Sequence, residues 1–257
     1  MSLKTISNQY PKVRLAIGSH SKNYYTALNG WRALGYEPPC LLVSYAYYHS
    51  GFGKKRDGYE YADWSLDSGA FTAFNAGKPI DLDEYIEFCH KQIAEDRFLE
   101  EVFALDVIGD WEASARNTEK MWKAGIKAIP VFHPGEPWEA LIEMAQSYPK
   151  IAFGCGSFRG KQRAQWVEQV FARVWPKRIH GLAIGDETTI MNFPFHSCDA
   201  STWIFRAQGF GSWHLYGNIP LRGTNNLASQ VEYYLKLQQR ARVKWKKQME
   251  LINSLPA

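Results

Sequence analysis

Tyr61-Ala-Asp-Trp-Ser-Leu-Asp67-Ser-Gly69 reads as a short strand that closes on an aspartate and turns through Ser-Gly. Two further segments share that layout: Val102-Phe-Ala-Leu-Asp106-Val107 and Phe193-Pro-Phe-His-Ser-Cys-Asp199-Ala-Ser-Thr-Trp203. Between them lie Ile129-Pro-Val-Phe-His133-Pro-Gly135 and Ile151-Ala-Phe-Gly154-Cys-Gly156, two more strand-like endings. Strands that alternate with helices form parallel sheets, and parallel α/β folds bind ligands at the carboxyl ends of their strands. Carboxylates at successive strand ends therefore converge on one pocket.

The alternation extends in both directions. Val13 to Ile17 and Cys40 to Tyr45 read as strands one and two, with a helix from Asn23 to Leu34 between them. Tyr48 to Tyr61 reads as a long Gly- and Lys-rich loop. The third strand ends at Asp67, and a helix opens near Asp81 with acidic residues in its first turn, which suits the helix dipole. The fourth strand ends at Asp106 and is followed by a helix from Trp111 to Ala124. Lys127 to Phe132 is the fifth strand, before a helix opening at Glu136-Pro-Trp138. Lys150 to Gly154, Arg178 to Ile184 and His196 to Asp199 complete the set, with a helix from Lys161 to Trp175.

Eight strands with mostly helical connections predict a single (β/α)8 barrel domain over residues 1–257, the typical length for that fold. The weak link is Ile184 to Ser197, too short for a full helix; an open doubly wound sheet is the alternative. No GxGxxG and no GxxxxGK[ST] is present, so that alternative carries no nucleotide signature.

Composition narrows the function class. Aromatic residues make up 15%, including ten Trp and fourteen Tyr, as in a packed enzyme. No apolar run reaches a membrane span and the N-terminus lacks a signal-peptide layout, so a cytoplasmic protein with no membrane partner is expected. Cys40, Cys89, Cys155 and Cys198 stand singly, outside any metal-ligand spacing, so reduced thiols and no structural zinc are expected. The net charge of +4 resides in the segment from Leu227 to the end, a basic C-terminal helix that suits either an acidic backbone partner or a solvated face.

Each candidate has a bland alternative. Asp67 fits a turn cap, Asp106 a helix N-cap, Asp199 an Asx turn and His133 a satisfied turn histidine. Gly154, Cys155 and Gly156 offer backbone groups to the edge of a planar ligand, although rim glycines also serve packing. Phe71 fits a base-stacking platform or the core.

These residues carry a resemblance. Leu66-Asp67-Ser68-Gly-Ala-Phe71 resembles the Asp-Ser-Gly-Gly-Phe/Tyr motif of the tRNA-guanine transglycosylase superfamily. Leu105-Asp106 is placed like that family's second aspartate, Val131-Phe-His133-Pro-Gly135 like its Val-Gln-Gly, and Gly154-Cys155-Gly156 like its Gly-Gly-Leu. Ser197-Cys-Asp199-Ala-Ser-Thr-Trp203 is similar to the segment bearing its nucleophile, and most like the compact phage-type enzymes that insert 7-deazaguanines into DNA. The order spans about Val13 to Phe210. The chain departs from the tRNA enzymes in lacking their zinc subdomain, in having His133 for glutamine, and in having no Thr-Arg after Asp199, with Arg206 nearby. The loss of the zinc region argues for a nucleic acid other than tRNA.

The resemblance implies exchange of guanine in DNA, with tRNA as the alternative, for a free 7-deazaguanine base of the preQ0 type. Asp199 would be the nucleophile and Asp67 the general acid/base. Asp106, His133, Ser68, Phe71 and the 154–156 turn would hold the base. Lys54, Lys55, Arg56, Arg159, Lys161 and Arg206 are candidates for phosphate contacts. No cofactor and no metal is required. A non-catalytic nucleic-acid-binding paralogue and a small-molecule barrel enzyme are the rival readings.

Overall fold

A computed structural model describes residues 9–18, 22–48, 58–204 and 224–255. Eight strands lie in chain order: β1 Lys12–Ile17, β2 Cys40–Ser44, β3 Trp64–Asp67, β4 Leu99–Val102, β5 Val131–Phe132, β6 Lys150–Phe153, β7 Arg178–Gly181 and β8 Ser197–Ala200. All pairings are parallel, and β1 lies between β2 and β8. The two ends of this sheet meet where Phe103, just past β4, bridges Ile129, just before β5. The Ala104 and Ile129 amides reinforce that seam, donating to the Ile129 and Val102 carbonyls at 2.9 and 2.8 Å. The fold is a closed (β/α)8 barrel.

The helices are α1 Lys22–Leu28, α2 Tyr45–Tyr48, α3 Ala70–Asn75, α4 Leu82–Glu95, α5 Trp111–Lys123, α6 Trp138–Ser147, α7 Gly160–Val174, α8 Glu187–Asn192, α9 Thr224–Lys244 and α10 Lys246–Ser254. Aspartates start three of them: Asp81 accepts from the Asp83 and Glu84 amides, Asp110 from Ala113 and Asp186 from Thr189. Several boundaries differ from the sequence reading. The Asn23–Leu34 helix ends at Leu28 and passes into a 3₁₀ turn, Asn29–Arg32. β4 stops at Val102, so Asp106 lies on the loop beyond it. β5 shrinks to two residues because Pro130 has no N–H to continue the ladder. β7 stops at Gly181 because Ala183 turns into the left-handed region, φ 54°. The short Ile184–Ser197 connection holds the six-residue α8.

Period-two alternation sorts the strand residues between the outer core and the barrel interior. The interior is layered. At its amino end are charged and polar side chains: Lys12, Arg14, Asp63, Ser65, Glu101, Lys150 and Ser197. Above them is an apolar layer of Leu42, Phe103, Ile129, Val131 and Ala152, flanked by Ala16 and Leu182. The carboxyl-end layer carries the candidate site. Asp63 is the hub of the charged layer, bound by Lys12 at 2.9 Å and Arg14 at 2.5 Å, both cations fully buried. Burial by itself would raise the Asp63 carboxyl, but the Arg14 and Lys12 charges hold it below its usual range.

The basic C-terminal helix, α9, packs against the first β/α unit, on α1 and β1, and the buried Gln238 accepts the Val13 amide at 2.9 Å. Its cations are held within the chain: Arg242 pairs with Glu37 at 2.7 Å and donates to the Gln9 and Pro11 carbonyls, Arg240 pairs with Glu187 and Lys236 with Glu232. Three of the six cations of the C-terminal segment thus face the protein's own carboxylates, while Lys244, Lys246 and Lys247 are exposed without a carboxylate partner among the described residues.

Candidate active site at the carboxyl end of the barrel

Asp67 is the last residue of β3, beside Ser44 of β2. Its Oδ2 accepts the Gly69 amide at 3.0 Å, so the turn-cap reading is correct as far as it goes. Gly69 is required there: its φ is +76°, and a Cβ would meet the Ser44 hydroxyl at 2.3 Å and Ala46 Cβ at 2.6 Å. Part of the residue remains open at the mouth, yet desolvation is the largest influence on its carboxyl. With the charges of Asp106 and Asp199 added, it raises the pKa to about 7. Two carboxylates from distant parts of the chain therefore bear on Asp67.

Asp106 and His133 form a pair, Nε2 to Oδ2 at 2.7 Å, while the Ser68 hydroxyl donates to Asp106 Oδ1 at 3.3 Å. Burial lowers the His133 imidazole, but the bond to Asp106 and the charges of Asp106 and Glu136 outweigh it and raise the pKa. Glu136 fixes the loop by accepting the His133 amide at 3.0 Å. The other ring nitrogen, Nδ1, lies 3.4 Å from where a Cβ on Gly154 would stand, so glycine at 154 leaves room for the imidazole. Glu136 was not a candidate from sequence; its position three residues after His133 was the available signal.

The 154–156 turn is less open than its glycines imply. The Gly154 amide donates to the Phe132 carbonyl and its own carbonyl accepts Trp166 Nε1, both at 3.0 Å. Cys155 and Gly156 carbonyls receive Phe158 N–H and the Arg159 guanidinium. The Cys155 and Gly156 amides have no partner among the described residues. Burial pushes the Cys155 thiol up to about 11, so it is no nucleophile near neutrality.

Asp199 sits inside the barrel near the mouth, 5% exposed. Its Oδ1 receives the Ala183 amide at 2.8 Å and faces His180 Nε2 at 3.3 Å. It does not begin an Asx turn; its partners come from β7 and the loop after it. Phe71, on the first turn of α3, is 63% exposed, and Phe74 is 60% exposed, so Phe71 is a rim residue and no part of the core. Arg159 and Lys161 are exposed at the start of α7 on the same end of the barrel. Lys54, Lys55, Arg56 and Arg206 lie outside the described residues. A cleft of about 140 Å³ between α5 and α6, lined by Trp111, Thr118, Met144 and Tyr148, reaches Asp106 and Glu136 from the outer side.

The mouth of the barrel thus holds a pinned carboxylate, a second carboxyl raised toward neutrality and a His–Asp pair, groups of the kinds that serve as nucleophile and general acid/base. No protein-family model and no curated protein matches the chain. Among solved structures it is similar to a mutant tryptophan synthase alpha-subunit from Pyrococcus furiosus, with TM-score 0.54 and 11% identity over 88% of this chain and 97% of that one. A chain of the tryptophan synthase complex of the same organism gives TM-score 0.53 at 13% identity, covering 88% and 97%. A protein from Aquifex aeolicus VF5 gives 0.53 at 10%, covering 91% and 95%. At such identities the likeness is one of fold alone: the chain is a (β/α)8 barrel.

Proposed function

We propose that the protein is a DNA base-modifying transglycosylase that exchanges guanine for a 7-deazaguanine of the preQ0 type. The observation that carries this reading is the gathering of Asp67, the Asp106–His133 pair and Asp199 at the carboxyl end of the barrel, where burial and the charges of Asp106 and Asp199 raise the Asp67 carboxyl to about 7. The resemblance of the Asp67-Ser-Gly-Ala-Phe71 and Ser197-Cys-Asp199 segments to the transglycosylases supplies the chemistry.

In the first step Asp199 Oδ2 attacks C1′ of the target guanosine as the C1′–N9 bond breaks through an oxocarbenium-like transition state. Asp67 donates its proton to the departing guanine, so the base leaves neutral and Asp67 is left as carboxylate. In the second step the incoming base loses its N9 proton to Asp67, its nitrogen attacks C1′, and the Asp199 carboxylate is released. Electrons and protons balance with no cofactor. The Asp106–His133 pair and the Cys155 and Gly156 amides offer acceptors and donors to the base edge. Because a stacked base is out of reach, the nucleotide must be flipped, and the exposed Phe71 provides a face for it. Arg159 and Lys161 are placed for phosphates, which makes binding fall with salt.

The test is release of labelled guanine from double-stranded DNA, and separately from tRNA, on addition of 7-cyano-7-deazaguanine. Release from DNA that disappears in Asp199→Ala is expected. Release from tRNA alone moves the substrate assignment to tRNA, and release from neither, across several 7-deazaguanines, overturns the exchange reading.

A further inference from the structure

Asp199 is supported from inside the barrel. Lys150 Nζ pairs with Glu101 and reaches Ser197 Oγ at 2.7 Å; Ser197 Oγ meets His180 Nδ1 at 2.8 Å; His180 Nε2 meets Asp199 Oδ1 at 3.3 Å. All four side chains are buried, Ser197 and His180 completely. The path crosses β6, β8, β7 and back to β8, linking the charged layer to the mouth.

The donor inventory allows this path one direction. An ammonium only donates, so Ser197 Oγ accepts from Lys150. A carboxylate only accepts, so the hydrogen of the imidazole is on Nε2. Burial holds His180 below its ordinary pKa, against the pull of Asp199, so the ring is neutral and Nδ1 carries a lone pair. The Ser197 hydroxyl must then donate to Nδ1. Asp199 Oδ1 receives two hydrogen bonds, from His180 and from the Ala183 amide.

Ala183 supplies an independent observation. It is the one non-glycine of positive φ among the described residues, and its strained amide is the group that holds Asp199. Left-handed alanine costs about 1 kcal/mol, and such strain collects where geometry is over-determined. Burying ion pairs is at best weakly stabilising against apolar packing, so stability alone does not account for a lysine and a glutamate beneath this carboxylate.

We propose that Lys150, Ser197 and His180 are positioning residues that act in series on Asp199, pinning Oδ1 and leaving Oδ2 as the attacking oxygen. The kinetic part of this inference rests on the base-exchange reading; the hydrogen-bond chain itself does not.

The experiment begins with ¹⁵N NMR of the histidine-labelled full chain near pH 7, with the His180 signals assigned by difference from His180→Gln. The expected spectrum shows a neutral ring protonated at Nε2, with Nδ1 shifted as a hydrogen-bond acceptor, and Ser197→Ala moves the Nδ1 signal alone. A ring protonated at Nδ1, or an imidazolium, overturns the chain whether or not the protein exchanges bases. Guanine release then tests its use. In His180→Phe, kcat falls about 10²-fold, as for loss of one preorganised donor, while KM holds within about twofold. His180→Gln, which keeps an N–H toward Asp199, recovers a substantial part of that loss. Unchanged kcat in His180→Phe, or equal losses in the Phe and Gln variants, overturns the positioning role. Wild-type protein that releases no guanine defeats the base-exchange reading instead, and the tautomer still decides the chain.

Discussion

Asp67→Asn should stabilise the fold and destroy the chemistry, and the size of the effect should depend on pH. In the folded protein burial, then Asp106 and Asp199, raise the Asp67 carboxyl to about 7, while in the unfolded chain it titrates near the ordinary value of about 4. Below both values the group is protonated in either state and costs nothing. As pH rises from about 4, the unfolded chain gives up this proton while the folded chain retains it. The stability due to this group is therefore lost progressively until the pH passes about 7. Linkage puts the full loss at roughly 4 kcal/mol. Relaxation of the open mouth reduces the expected gain to about 2 kcal/mol. Asparagine carries no charge, and its Oδ1 still accepts the Gly69 amide. For a chain of this size that gain corresponds to a Tm increase of about 4–8 °C. The assay is calorimetric melting of wild type and variant at pH 8, 6.5 and 4.5, with base release measured in parallel. The variant should be the more stable at pH 8, and the gap should close toward pH 4.5. A variant that melts lower at pH 8, or by the same margin at every pH, would refute the argument that burial and the charges of Asp106 and Asp199 hold the Asp67 carboxyl up.

Two other substitutions separate site from scaffold. Phe71→Ala removes an exposed ring, so melting should move by under about 1 °C, while single-stranded DNA binding weakens by roughly 1–3 kcal/mol if the ring stacks on a base. Unchanged binding removes Phe71 from the site. Asp63→Ala removes the most buried of the carboxylates that Lys12 and Arg14 share and leaves them Glu100, with Glu101 beside Arg14. The cost should therefore fall below the roughly 3–5 kcal/mol of a fully orphaned buried charge, at about 2–3 kcal/mol and a Tm lower by roughly 4–12 °C. Because Asp63 is held below its usual range, the wild type loses this contribution as pH falls through that lowered value, so the difference between the two proteins should narrow in acid. An equal difference at every pH would show that Asp63 acts through packing.

The barrel interior shows why part of the site was not legible in the sequence. Lys12-Val-Arg14-Leu alternates charged and apolar residues, as does Arg178-Ile-His180-Gly, and that pattern marks an inward-facing polar row as much as a solvated face. Only the strand's neighbours distinguish the two. His180 went unnoticed because an isolated histidine in an apolar strand carries no motif. The basic tail was ambiguous for a similar reason: six cations without their partners look like a nucleic-acid surface, and in the fold Arg240 and Arg242 meet Glu187 and Glu37. Asp106 was displaced from a strand end to a loop by the early stop of β4, yet it still reaches His133.

Local patterning determines the alternation of strands and helices, and with it the placement of Asp67, His133 and Asp199 at or next to strand ends. Those features depend on periodicity, turn residues and caps within a few positions of each residue. Closure of the barrel decides the rest. It sets β8 beside β1 and joins Phe103 to Ile129, which brings Asp106 to His133, places His180 and Lys150 beneath Asp199, and exposes Phe71 at the rim. The protonation state of Asp67 belongs to that second group, because it is set by burial and by two charges that only the tertiary structure brings near.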